Sequence, residues 1–283
     1  MYCHNSNIFE MIIEMRKLLT SLIMTASLCV SSLAIALSPP EQKSLKSDIL
    51  NENRSFSVYL PSNYDKNDAK KYSVLYMLDA GNDDELVAQQ LEKLAGEAGK
   101  KPPIVVAIAN IRRGYDFTPG YLKLGRGENR RNGNGDNFLS FITKELIPKI
   151  EQEYSVNDTR YFMGHSWGGA FSAYVLSQYP DLFKGVFIFS PSFGNIPDAS
   201  NKEDKLSQDF IKNIAKNKSL EFVYLSVGGK ERQRFRNSFD GFKPYLESQL
   251  PQRIKLVTTV NEDADHMANP EVSIPNALKL VFK

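Results

Sequence analysis

The chain has 283 residues, with 35 lysines and arginines against 33 aspartates and glutamates, and three histidines. A net charge of +2 creates no global field that would collect nucleic acid, so no such partner is expected and charge must be argued locally. Both cysteines, Cys3 and Cys29, fall near the start, which removes cysteine nucleophiles, zinc–thiolate sites and iron–sulfur clusters from everything after residue 29.

The first segment reads as a leader. Met1 to Glu14 places Glu10 and Glu14 ahead of any basic residue. From Met15 the pattern changes to Arg16-Lys17, a mostly apolar Leu18 to Ile35, and Ala34-Ile35-Ala36. That order is a basic start, an apolar centre and a small-residue cleavage site. Translation is expected to begin at Met15, with cleavage after Ala36 and a periplasmic or secreted product. Six serines and threonines between Thr20 and Ser32 make the run too polar for a membrane span. Leu28 is not the small residue a lipoprotein site wants before Cys29. The remaining 37–283, about 245 residues, suit one α/β domain, which can bury its core without disulfides.

In chain order, Ser44 to Leu50 and Ser55 to Leu60 alternate apolar and polar, which predicts an antiparallel hairpin turning at Asn51-Glu52-Asn53. Tyr72 to Leu78 is a near-continuous apolar run, as in a strand buried on both faces. Asp84 to Gly99 carries Val87, Leu91, Leu94 and Ala98 at helical spacing. Ile104 to Ala109 predicts another buried strand, and Asn110 to Asp136 a long polar loop. Phe138, Phe141, Ile142, Leu146 and Ile150 predict a helix kinked at Pro148. Further strands are expected at Tyr161–Met163, Gly185–Phe189, Phe222–Val227 and Arg253–Val260. Helices are expected from Trp167 to before Pro180, around Leu206 to Ile214, over Phe235–Leu250 and over Ser273–Phe282. This alternation predicts a mostly parallel sheet with an N-terminal hairpin and helices on both faces. Ligands then sit beyond the carboxyl ends of the strands.

On that edge lies Gly164-His165-Ser166-Trp167-Gly168, a G-x-S-x-G between a strand and a helix. A serine there occupies a sharp corner, its hydroxyl lifted clear of the sheet beside a helix N-terminus. Side chains at either flanking glycine are expected to clash. A serine needs a base. His4 is in the leader, and His165, adjoining Ser166, is expected to point away from it. His266, in the loop after the last strand, remains by elimination. For the orienting acid, Glu231 follows a strand between the two; Asp263 and Asp265 share the loop of His266, and Asp240 lies inside a helix. The oxyanion donors are expected to be the Trp167 amide and, from the turn after Leu78, the Ala80 amide, with Asp79 bracing that turn.

With these residues the chain resembles the putative-esterase family of α/β-hydrolases, which includes siderophore esterases, S-formylglutathione hydrolases and mycolyltransferases. The resemblance rests on Val58-Tyr-Leu-Pro-Ser-Asn-Tyr64, Val74-Leu-Tyr-Met-Leu-Asp79, Tyr115-Asp-Phe-Thr-Pro119, Glu145-Leu-Ile-Pro148, Gly164 to Gly169 and Ser190-Pro-Ser192. Ala80 stands where the family carries an oxyanion-hole glycine, and Tyr115 where it carries an arginine. The resemblance implies the α/β-hydrolase fold and a serine carboxylic-ester hydrolase working through an acyl-enzyme, with no cofactor and no metal. The leader tilts it toward the siderophore esterases.

Loop 110–136 carries Arg112, Arg113, Lys123, Arg126, Arg130 and Arg131, and the loop after Val227 carries Lys230, Arg232, Arg234 and Arg236. Together they suit an anionic or catecholate ester, with Arg112, Arg113, Tyr115 and Trp167 as the substrate contacts. A monomer without a stable membrane anchor is expected. Two other functions use the same fold: an acyltransferase, distinguished by its products when an alcohol acceptor is added, and an inactive binding module, distinguished by failure of Ser166 to take a fluorophosphonate.

Overall fold

The computed structural model describes residues 37–124, 131–193 and 204–283; the expected leader, Arg126 and Arg130 lie outside them. Eight strands form one sheet: β1 (Glu41–Ser47), β2 (Glu52–Tyr59), β3 (Tyr72–Leu78), β4 (Ile104–Ile108), β7 (Val156–His165), β8 (Gly185–Phe189), β9 (Phe222–Gly228) and β10 (Lys255–Asn261). Their order is β1-β2-β4-β3-β7-β8-β9-β10. β2 runs antiparallel to β1 and β4, and all later pairs are parallel. Two short strands, β5 (Lys123–Leu124) and β6 (Arg131–Asn132), form a separate ribbon. This is the α/β-hydrolase fold.

The sheet is covered because its strands are apolar on both faces. Val74, Tyr76 and Leu78 of β3 enter one core; Leu75 and Met77 enter the other. The first core takes the helices α3 (Gly135–Phe141), α4 (Ile147–Glu153), α5 (Trp167–Gln178), α6 (Lys205–Ile214) and α7 (Gln233–Gln249). The second takes α1 (Asp84–Ala98) and α8 (Ala268–Ala277), through Val87, Leu91 and Ile274. Burying an aliphatic side chain of this kind contributes about 1.5–3 kcal/mol.

Several boundaries differ from the sequence expectation, β7 running Val156–His165 rather than Tyr161–Met163 among them, and four differences have a clear local reason. The hairpin turns at residues 48–51, because Glu145 accepts the Asp48 and Ile49 amides and the Ser47 hydroxyl. The kink before Pro148 is a π-turn, Ile142–Leu146, which accommodates the proline's missing N–H one turn later. Loop 110–136 contains the short helix α2 (Arg113–Asp116) and is pinned from below. The fully buried Arg54 donates to Asp116 at 2.7 Å, and Phe117 stacks on Phe171 at 5.5 Å. Finally, α8 starts at Ala268, two residues after His266, with Asp265 accepting the Met267 and Ala268 amides at 3.0 Å at its start.

Candidate active site

Ser166 sits between β7 and α5 with φ +60° and ψ −118°, a corner L-residues rarely adopt. A Cβ on Gly164 would lie 2.3 Å from the Gly168 carbonyl oxygen, and one on Gly169 would lie 2.7 Å from that of Phe189. Gly168 is the looser position: a Cβ there meets the Asp79 carboxylate at 3.2 Å. Flanking clash therefore holds for Gly164, and the second tight glycine is Gly169 rather than Gly168. The corner is fastened to β8, with the Ser166 amide donating to Phe189 and the Ser192 amide to Ser166.

The loop after β10 brings His266 Nε2 to 2.9 Å from Ser166 Oγ across 100 residues of chain. His266 Nδ1 lies 2.6 Å from Glu231 Oε2. Glu231, whose side chain is fully buried, receives the Ser190 hydroxyl at 2.5 Å and the Gly228 amide at 2.7 Å on its other oxygen. Burial pushes the Glu231 carboxyl up, but the hydrogen bonds from His266, Ser190 and Gly228 outweigh it and hold the group below its ordinary value. The other carboxylates weighed for this role are placed elsewhere. Asp263 pairs with Lys230 on the surface, Asp265 caps α8, and Asp240 sits on α7.

His165 does not point away from the site. The unusual φ at Ser166 breaks the strand alternation, and the His165 ring packs 4.6 Å from that of His266, lining the same cavity as Ser166. Phe235 also stacks on His266, at 3.7 Å and 16°. Burial, then the neighbouring His266 and Arg113, push His165 down to about 4, so it is neutral where esterases work. Its Nε2 is buried without a hydrogen-bond partner among the described residues.

The oxyanion side departs from expectation. The Ala80 amide donates to the Ile108 carbonyl at 3.1 Å, continuing the β3–β4 ladder across the turn, and so is committed. The next amide, Gly81, donates to Asp84. Trp167 is the first residue of α5, where an N–H has no intrahelical acceptor. A charged side chain shares the cavity with Ser166. Arg113 lines the cavity with Ser166 and is anchored through Nε and Nη2 to the two oxygens of Asp79, at 2.6 and 2.9 Å, and to the His165 carbonyl at 3.0 Å. Asp79 thus braces a guanidinium rather than only its own turn, and Asn110 donates to it as well.

Of the remaining expected contacts, Arg112 pairs with Glu52 at 3.1 Å and stacks over Tyr115, which Arg131 also covers at 4.7 Å. Of the four expected substrate contacts, only Arg113 lines the cavity beside Ser166; Arg112, Tyr115 and Trp167 do not. Trp167 is 42 % exposed and lies flat against Gly114, where a Cβ would come within 2.0 Å of the ring. The cavity itself measures about 290 Å³ and is walled by Met77, Met163, Phe189, Met267 and Ile274, with Asp83 among its polar residues. Burial, and then the charges of Glu271, Asp84 and Asp79, raise the Asp83 carboxyl. Sequence reasoning missed Phe235, Met267 and Asp83, which carry no motif; Ser190 was visible only as part of a motif without a role.

A strained serine in reach of an imidazole that a buried carboxylate backs, at the carboxyl edge of this sheet, is the arrangement of the serine hydrolases. Residues 47–262 match the Esterase family model, described as putative esterase, and the chain belongs to that family. It is 29 % identical over 216 residues to the Ferri-bacillibactin esterase BesA of Bacillus subtilis, covering 70 % of this chain and 73 % of that one. It is 34 % identical over 154 residues to the Apo-salmochelin esterase of Escherichia coli, but these span 46 % of this chain and only 45 % of that protein. Among solved structures, the BES protein from Bacillus cereus superposes with a TM-score of 0.73 at 22 % identity, covering 89 % of this chain and 99 % of that one. An IroE-like serine hydrolase from Shewanella oneidensis gives 0.71 at 20 % identity, covering 86 % and 80 %. At such identities these structures speak for the fold.

Proposed function

We propose that the chain is a serine carboxylic-ester hydrolase acting on siderophore-type esters, with Ser166 as nucleophile, His266 as base and Glu231 as its orienting acid. The observation that carries this reading is the continuous contact Ser166 Oγ–His266 Nε2–His266 Nδ1–Glu231 Oε2, at 2.9 and 2.6 Å. His266 takes the Ser166 proton as Oγ attacks the ester carbonyl. The imidazolium so formed faces the Glu231 carboxylate. The Trp167 amide and the Arg113 guanidinium are the donors for the tetrahedral oxyanion. His266 then returns its proton to the departing alkoxide, and a water activated by the same imidazole releases the acyl group from Ser166. A bound serine–histidine pair of this geometry argues against an inactive binding module.

For the substrate, the names of the two curated relatives support siderophore esters. The basic rim supports an anionic substrate less than composition suggested, since Arg112, Arg113 and Lys230 are paired with Glu52, Asp79 and Asp263. Arg131 and Arg232 remain exposed. No helix among the described residues is long and apolar enough to cross a membrane, and a cleaved leader ending at Ala36 is the reading its pattern supports.

The direct test compares the protein with its Ser166→Ala variant on p-nitrophenyl esters and on ferric and iron-free catecholate lactones. Turnover of a lactone that the variant lacks supports the proposal; equal turnover by both proteins sinks it. Amino-terminal sequencing of the secreted form should begin at Leu37.

A further inference from the structure

Glu231 uses one oxygen to orient His266, and the other oxygen enters a buried polar chain that the reaction scheme does not employ. Oε1 takes two hydrogen bonds, from the Ser190 hydroxyl at 2.5 Å and the Gly228 amide at 2.7 Å. Behind Ser190 stands Asn269, fully buried on α8, whose Nδ2 donates to Ser190 Oγ at 2.8 Å and to Ser226 Oγ at 3.0 Å. Asn269 Oδ1 in turn accepts from Asn261 Nδ2 at 2.6 Å, and Asn261 Nδ2 also reaches Ser273 Oγ at 2.7 Å. The chain joins the ends of β8, β9 and β10 to the acid loop and to α8.

The direction of these bonds is forced by the donor inventory. An ionised carboxylate only accepts, so Ser190 must spend its single proton on Glu231. Ser190 Oγ can then only accept, which sets the Asn269 amide with nitrogen toward Ser190 and oxygen toward Asn261. Along the path Asn261–Asn269–Ser190 each donor therefore points toward the carboxylate. Bonds aligned in this way polarise one another in a low-dielectric interior. Ser190 is also held at φ +44°, and its amide donates to the Ser226 carbonyl. A serine in that conformation costs of order 1 kcal/mol that glycine would avoid. The hydroxyl is thus kept at a position where the backbone favours no side chain.

We propose that Ser190, oriented by Asn269, is a positioning residue for the acid–base pair: its hydroxyl occupies one oxygen of Glu231 so that the other meets His266. The same segment fastens the nucleophile, since Ser192, two residues on, donates its amide to the Ser166 carbonyl. Acid and nucleophile are therefore referenced to a single stretch, Ser190 to Ser192. Other charged and titratable groups stand around the pair: His165 from β7, Lys230 with Asp263, Asp265 on the base loop, and Arg236, which donates to the Gly229 carbonyl. The Asp79–Arg113 pair lies beyond His165. Among the described residues none of these bonds Glu231 Oε1.

The proposal rests on the esterase reading for its kinetic arm only. Ser190→Gly relieves the positive φ as it removes the hydroxyl, which offsets part of the cost of the lost buried hydrogen bond. With p-nitrophenyl acetate, kcat should fall about 10-fold with KM within about twofold, as for lost orientation in the transition state. The acid limb of the kcat/KM profile should move to higher pH by roughly half a unit or more, because the carboxylate has lost a donor that favours its charged form. Ser190→Cys, which retains a weaker donor, should fall between parent and glycine variant, and Asn269→Leu should shift the limb the same way by less. Imidazole NMR titration of His266 follows the pair without any turnover. An unmoved midpoint in folded Ser190→Gly overturns the proposal whether or not the protein hydrolyses esters. A moved midpoint in a protein without turnover leaves the proposal standing and removes the esterase reading instead.

Discussion

The two sides of Ser166 are built from different materials. On the acid–base side, the loops after β9 and β10 meet over a fully buried carboxylate, and its partners are a histidine, a hydroxyl and an amide, backed by two asparagines. On the oxyanion side, the turn after β3 and the loop after β4 meet through an ion pair, Asp79 with Arg113, whose guanidinium is about a third exposed. Hydrogen bonds to a carboxylate in a dry interior hold their geometry because breaking any one leaves a buried polar atom unpaired, at about 1–3 kcal/mol. An ion pair with a partly exposed guanidinium can exchange partners for water on that side and is screened there by salt. The first side is suited to chemistry that must not vary, the second to accommodating different esters.

The sharpest way to break this contrast is at the acid. Glu231→Gln keeps the shape but presents an amide to His266, and kcat should drop by about 10³–10⁴ with the fold retained, measured on a p-nitrophenyl ester. A drop below tenfold would mean that the buried side does not govern the chemistry.

On the other side, Arg113→Met should lower kcat/KM by about 10–100-fold if the guanidinium serves the oxyanion. It should also cost on the order of 2 kcal/mol in urea unfolding, because Asp79 loses its charge partner in a mostly buried position. Adding Asp79→Asn should recover the stability and leave the rate low. Recovery of both would assign Arg113 to the scaffold alone.

His165 tests the interior between the two sides. Its imidazole is pushed down to about 4 in the folded chain, against about 6.5 when unfolded. Between these values the unfolded chain binds the extra proton, so stability rises with pH through this window and is lost as pH falls from 6.5 toward 4. His165→Asn should flatten that dependence by on the order of 2 kcal/mol, read from urea midpoints at pH 4.5 and 7. An unchanged slope would place the pH sensitivity elsewhere.

The smallest effect is expected at the rim. Gly114→Ala forces the Trp167 ring to move, and KM for aryl esters should change by about two- to fivefold with kcat nearly constant. A change in kcat instead would show that the ring's neighbour, the Trp167 amide, had moved with it.

Much of this was legible in the chain because the signals are local. The parallel strands are short apolar runs; β3, Tyr72–Leu78, fell where the run itself did, whereas β7 extends from Val156 to His165 well beyond the expected Tyr161–Met163. The serine corner showed as glycines at fixed spacing, and His266, whose ring meets that serine, by elimination among three histidines. Partners chosen in space were not legible. Glu145 turning the first hairpin, Arg54 pinning the loop from below and Ile108 claiming the Ala80 amide act across 28 to 98 residues of sequence and follow no period. Nor does the basic count of the loops reveal that Arg112, Arg113 and Lys230 are already paired.

The order of apolar runs and breakers determined the sheet and its catalytic edge, since hydrophobic burial responds to pattern along the chain. The same pattern put a serine on a corner of that edge. Which oxygen, amide or guanidinium faces that serine was decided only by tertiary structure. Hydrogen bonds and ion pairs depend on ångström distances between remote loops, and those distances exist only once the core has packed.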